Sequence, residues 1–272
     1  MEYSTGQRFN LSNVLFLVLL WITSGAFAGP LEDAATAFKH GDYSTAMALW
    51  RPLAEEGNAA AQTGMGILYE NGREVVKSEA QAVAWYQKAA AQGDAEAEYR
   101  LGQRYVQGPL STSSFPRDVP RGLTLMKKAA DQGHVRSMEA IAEYYRNGLF
   151  GVRKDAVEAT AWHRRAAELG YALAEERLGN AYEFGQGVDQ DSALAEEWYQ
   201  RSTKHYLKDA EEGDVSAQLA VGMGYELGGM GFKRDKAAAL FWYRSAARQK
   251  GPLRGTAEAA VARVEKAREI PH

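Results

Sequence analysis

Residues 95–108 read Ala95-Glu-Ala97-Glu-Tyr-Arg-Leu101-Gly102-Gln-Arg-Tyr105-Val-Gln-Gly108, and residues 235–247 read Asp235-Lys-Ala-Ala-Ala239-Leu-Phe-Trp242-Tyr243-Arg-Ser-Ala246-Ala247. At about 3.6 residues per turn, Leu101, Gly102 and Tyr105 fall in one stripe, so they face the same neighbour. Gly102 there lets two helix backbones approach, and Gly108, after the Tyr turn, can take the left-handed conformation that ends a helix. In the second stretch Asp235 stands where an N-cap belongs, and Ala239, one turn before Trp242, makes room for the indole. Each stretch describes one helix, and together they describe a helix pair.

The pair recurs. Met65/Gly66/Tyr69, Ile141/Ala142/Tyr145, Leu178/Gly179/Tyr182 and Val221/Gly222/Tyr225 reproduce the first helix, with Gly72, Gly148, Gly185 or Gly228 three residues after each Tyr. Ser78, Asp118, Asp155 and Asp191 reproduce the cap, seven residues before the apolar anchors Trp85, Leu125, Trp162 and Trp198. Gly57, Gly93, Gly133, Gly170, Gly213 and Gly251 close successive segments at spacings of 36 to 43 residues. A period of this length, with two helical patterns per unit, predicts an all-α fold. The expected architecture is a right-handed α-solenoid of antiparallel helix pairs, whose units bury their apolar faces against neighbours.

The pattern resembles the Sel-one-like repeat family, a relative of the tetratricopeptide repeat, over about residues 59–252. The resemblance implies five repeats at 59–94, 95–134, 135–171, 172–214 and 215–252. Before them, residues 29–58 carry Phe38, Tyr43, Ala46 and Trp50 around Gly41-Asp42 and resemble a tetratricopeptide-like capping hairpin. Pro52 is expected to remove one backbone hydrogen bond from its second helix and bend it. Residues 253–272 are expected to end the array with a capping helix that has a polar outer face, bringing the helices after residue 28 to thirteen.

Residues 1–28 are of a different kind. The apolar run from Val14 to Ile22 is short for a membrane span, and Ala26-Phe27-Ala28 has the small-residue pattern of a secretory cleavage site. This predicts a signal peptide over 1–28, a mature chain beginning at Gly29 with no membrane span, and a periplasmic or secreted location. The alternative keeps the segment as an inner-membrane anchor.

Composition narrows the function classes. The chain has no Cys, so it lacks both the residue for lipid attachment and the disulfides that staple some exported members of the family. A net charge of -3 provides no electrostatic footprint for nucleic acid. Gly-x-Ser-x-Gly, Ser-x-x-Lys and His-Glu-x-x-His are missing, and His40, His134, His163, His205 and His272 are scattered without ligand spacing. Gly64-x-Gly66 and Gly222-x-Gly224 occupy the packing register and follow no strand, so they read as packing positions rather than nucleotide loops. No catalytic residue, metal or cofactor is expected.

Two units depart from the pattern. The loop between Gly108 and Asp118 is lengthened and holds Phe115 among small polar residues, a surface insertion or a contact loop. In the fourth repeat seven extra residues around His205-Tyr206-Leu207 add two helical turns, from which a protruding end with exposed Tyr206 and Leu207 is expected.

The resemblance to tetratricopeptide-like arrays also implies a binding register on the first helix of each unit. Carried over residue by residue, it marks Tyr99 and Gln103, then Arg136, Glu139, Glu143 and Arg146, then Asn180, Glu183 and Phe184. Ile67, Leu219, Met223 and Leu227 make the same register apolar in the first and fifth repeats. The expected function is an exported scaffold that binds a protein or peptide partner in the cell envelope and regulates or assembles a larger complex. The alternative is a cell-wall or β-lactam hydrolase like the family's cysteine-rich members, against which the lack of Cys and of a nucleophile motif argues.

Overall fold

The computed structural model describes residues 29–108 and 115–266. The segment read as a signal peptide, and residues 109–114 of the long loop, lie outside the described residues. Thirteen α-helices and one short 3-10 turn at Leu149–Gly151 make up the described chain, with no strand beyond an isolated bridge between Gly229 and Phe232. The chain divides between Ala89 and Ala90 into two compact units.

The first unit holds α1 (Pro30–Lys39), α2 (Tyr43–Glu55), α3 (Ala59–Asn71) and α4 (Glu79–Ala90), the last ending at the division. Asp42 accepts from the Thr45 amide at 3.1 Å and Asn58 from Ala61 at 2.9 Å, which satisfies amides that a helix start leaves unpaired. α2 continues through Pro52 to Glu55. Trp50, 6% exposed, lies across Gly64 of α3, where a Cβ would stand 2.5 Å from its Cδ2. Gly66 makes the same room for the Tyr86 ring. The Gly64-x-Gly66 pair is therefore a packing device, as its register predicts.

The second unit runs from α5 (Ala95–Gln107) and α6 (Val119–Asp131) through α7 (Val135–Asn147), α8 (Ala156–Glu168), α9 (Ala172–Phe184) and α10 (Ser192–Glu211). It ends with α11 (Val215–Leu227), α12 (Lys236–Arg248) and α13 (Arg254–Lys266). Each helix packs on the next in antiparallel pairs. Asp118, Asp155, Asp191 and Asp235 all accept from the first-turn amides of the helices they precede, at 2.8–3.1 Å. Gly148 and Gly185 close α7 and α9 in the left-handed conformation, at φ of 68° and 61°. Val106, Met126, Ile141, Trp162, Ala166 and Leu178 form the core around the third repeat.

The expected anchors need a correction. In most repeats the residue after the expected anchor is the deeper one: Tyr86 and Met126 are 0% exposed, Tyr243 is 2% and Tyr199 is 7%. Trp85, Leu125, Trp198 and Trp242 are half-buried, and only in the third repeat are both residues, Trp162 and His163, buried. The cause is the small residue on the partner helix. A Cβ on Gly179 or Gly222 would stand 2.6 Å from Cδ1 of Tyr199 or Tyr243, so the ring fills the space that glycine leaves. The phenol then reaches a polar group on the same helix: Tyr199 donates to Asn180 Oδ1 at 3.0 Å and Tyr243 to Glu226 Oε2 at 2.7 Å.

The enlarged α10 also differs from expectation. Tyr206 and Leu207 pack with Ala210 and Val221 instead of protruding, because the two added turns keep the same face inward. Burial pushes the Tyr206 hydroxyl well above the usual phenol range. Phe115 lies against Tyr105, ring centroids 4.5 Å apart, and so has a partner within the chain.

Candidate functional site

The nine register residues of the second, third and fourth repeats lie in the second unit, on α5, α7 and α9. The structure sorts them into two groups. Tyr99 and Gln103 form one with residues of the following turn: Gln103 Nε2 donates to the Tyr99 hydroxyl at 2.9 Å, and His134 packs on the Tyr99 ring at 4.9 Å. His134 Nε2 lies 2.9 Å from Glu96 Oε2, and Arg100 reaches the other oxygen at 2.5 Å. Burial opposes the Glu96 charge, but these two partners outweigh it and hold the carboxyl at about 2. Burial raises the Tyr99 hydroxyl above its ordinary value.

The second group surrounds a cavity of about 170 Å³ among α7, α8 and α9. Arg146 of α7, His163 of α8, and Arg177, Asn180 and Phe184 of α9 line it. Glu143 accepts from Arg146 Nη2 and from Asn147, each at 2.7 Å. Although burial opposes its charge, Arg146 together with Arg177 and His163 holds the Glu143 carboxyl below the usual range. Glu139 Oε1 lies 3.2 Å from His163 Nδ1, whose side chain is 3% exposed. Glu139 and Glu143 thus hold His163 and Arg146 of the lining, and neither lines the cavity itself.

The remaining register residues divide between surface and interior. Arg136 is exposed, Phe184 is 65% exposed and Glu183 is half-buried. On α11, Met223 and Leu227 are 54% and 62% exposed, and with Met230 and Phe232 they line a largely apolar cavity of about 200 Å³. Val106, three residues after Gln103 on α5, is fully buried core. Sequence reasoning missed Arg177, one position before the Leu178/Gly179 packing pair, and Thr160, whose hydroxyl donates to the Gln186 carbonyl at 2.8 Å. The available signal was His163, which stands where three of the other repeats have a buried Tyr, at Tyr86, Tyr199 and Tyr243.

Among the described residues no group of His, Cys, Asp and Glu could hold a metal, and no helix is long and apolar enough to cross a membrane. What the geometry defines is an all-α array of helix pairs with a first-helix surface of mixed charge and exposed apolar side chains.

Comparison with known proteins gives that array its family. The Sel1 repeat matches at residues 59–94, 95–134, 135–171, 172–205 and 215–250, and the chain belongs to the Sel1 repeat family. A solved Sel1 repeat protein from Oxalobacter formigenes is 30% identical, with 89% of this chain and 90% of that one aligned at a TM-score of 0.57. A chitin synthase regulator SKT5 of Malassezia restricta is 31% identical over 56% of this chain. Chitin synthase regulatory factor 3 of Schizosaccharomyces pombe is 27% identical over 78% of it. The chain spans 10% and 26% of the lengths of these two relatives. It is a Sel1 repeat scaffold of the kind that mediates protein–protein interaction.

These relatives correct one expectation. The periplasmic or secreted location, with its inner-membrane-anchored alternative, rests on residues 1–28 alone, and its periplasmic form needs a two-membrane envelope. The curated relatives named above are instead chitin synthase regulators from fungi, whose cells have no such envelope, and the export reading is withdrawn.

Proposed function

We propose that the chain is a non-catalytic scaffold that binds a protein partner along the first helices of its repeats and so regulates or assembles a larger complex. The observation that carries this reading is the exposure of Phe184, Met223 and Leu227 on the binding register of α9 and α11, at 65%, 54% and 62%. Large apolar side chains grouped at the surface of a monomer mark interaction sites. Arg136, Glu183 and Arg146 supply charge on the same register, while Tyr99, Gln103, Glu139, Glu143 and Asn180 shape the surface through their bonds to neighbouring groups. The names of the curated relatives, regulators of chitin synthase, support a regulatory role.

The test compares capture of partners by the wild-type chain and by a Phe184→Ser/Met223→Ser/Leu227→Ser triple variant. The variant should keep its helical circular dichroism and lose the captured protein. Capture at full strength by a folded triple variant would move the site elsewhere.

A further inference from the structure

We infer that the cavity among α7, α8 and α9 receives a side-chain carboxylate of the partner, an inference that rests on the protein-binding reading above. The charged groups lining it are Arg146 and Arg177; His163 also lines it, and no carboxylate does. Three of their nitrogens, Arg146 Nε, Arg177 Nε and His163 Nε2, are buried without a hydrogen-bond partner. Buried polar atoms of this kind are paired in the great majority of proteins, so the two guanidinium nitrogens, which can only donate, call for an acceptor. The same side chains are held elsewhere, Arg146 by Glu143 at 2.7 Å and His163 Nδ1 by Glu139 at 3.2 Å, so the cluster is already positioned. Asn180 turns its Oδ1 to Tyr199 at 3.0 Å, which leaves its Nδ2 hydrogens as its donors.

The size and charge of the site favour a carboxylate over a phosphate. Glu139 and Glu143 hold His163 and Arg146 and offset part of the cluster's charge, which suits a monoanion better than a dianion. Ala156, Ala159, Ala181 and Phe184 complete the lining, and these apolar walls fit the methylene stem of a glutamate. Phe184 is 65% exposed, so the cavity reaches the surface that the partner is proposed to cover. Charge-assisted bonds from guanidinium to carboxylate are among the stronger hydrogen bonds available to proteins.

The full chain is titrated with N-acetylglutamate N-methylamide, its glutamine counterpart, N-acetylalanine and inorganic phosphate, with the His163 ring resonances followed by NMR. The glutamate probe should shift those resonances. Arg146→Gln and Arg177→Gln should each weaken it at least tenfold, and Arg51→Gln, an exposed arginine of the first unit, should leave it unchanged. The captured partner should lose at least tenfold in affinity for a folded Arg177→Gln chain. The inference is overturned if the glutamine probe, N-acetylalanine or phosphate binds as well as the glutamate probe, or if Arg177→Gln retains the probe or the partner. Full partner affinity in Arg177→Gln leaves the scaffold reading standing. A wild-type chain that captures no protein sinks that reading instead, and the small probes still decide what the cavity holds.

Discussion

The ring of Tyr199 occupies the space in which a side chain on Gly179 would begin, a Cβ there standing 2.6 Å from Tyr199 Cδ1. The pair locks α9 to α10, and the phenol's bond to Asn180 fixes the ring's depth. Gly179→Ala should gain up to about 1 kcal/mol of helix propensity but lose roughly 1–3 kcal/mol to overpacking. Net destabilisation is expected in urea unfolding. Made in a Tyr199→Ala background, the same change should become neutral or stabilising, since the clash is gone. Additive effects of the two changes would show that the contact does not couple the helices.

The depth of each aromatic residue sets a second expectation. In the third repeat Trp162 is 7% exposed, and Trp162→Ala should cost about 3–5 kcal/mol. In the fourth repeat the order of neighbours reverses: Tyr199→Ala should cost more than Trp198→Ala, because Trp198 is half-buried with Arg201 stacked on it at 4.7 Å. Thermal unfolding of the three variants checks this, and a Trp198 variant less stable than the Tyr199 variant would restore the tryptophan as the anchor.

The local parts of this fold were legible in the sequence, and the non-local parts were not. A cap such as Asp155 or Asp235 acts on amides two or three residues away, so spacing alone locates it. Which of two adjacent aromatics goes deeper is another matter. Neighbours on a helix point about 100° apart, and the choice between Trp198 and Tyr199 depends on where Gly179 lies on the facing helix. The site has the same limit. Arg146 and Asn180 share a cavity with His163 and Arg177 because three helices converge there. A register taken along one helix at a time could mark the first two but not the convergence.

Acid should act through Glu96. Its folded-state value of about 2 lies below the ordinary 4.5, so the fold favours the ionised form. The stabilisation is complete above pH 4.5, declines as pH falls and is gone below about 2. Its size is on the order of 2–3 kcal/mol. Glu96→Gln should therefore be less stable than wild type at neutral pH, and the gap in melting temperature should close between pH 4.5 and 2. A gap that stays constant across that window would mean that the ties to His134 and Arg100 add nothing to the ionised form.

The binding register makes the last expectation, because its residues are not equivalent. Arg136 is exposed, and Arg136→Ala should change stability by less than about 0.5 kcal/mol. Glu139 sits three residues further along the same helix, with its carboxylate on the Nδ1 of a His163 side chain that is only 3% exposed. Glu139→Ala would leave that nitrogen without its acceptor in a site closed to water, which typically costs about 1–3 kcal/mol. Glu139→Gln keeps an amide oxygen that can accept from the ring and should recover most of the loss. Chemical denaturation of the three variants separates the cases. If Glu139→Ala unfolds at the same urea concentration as Arg136→Ala, the His163 contact does not stabilise the fold, and Glu139 belongs with the solvent-facing charges.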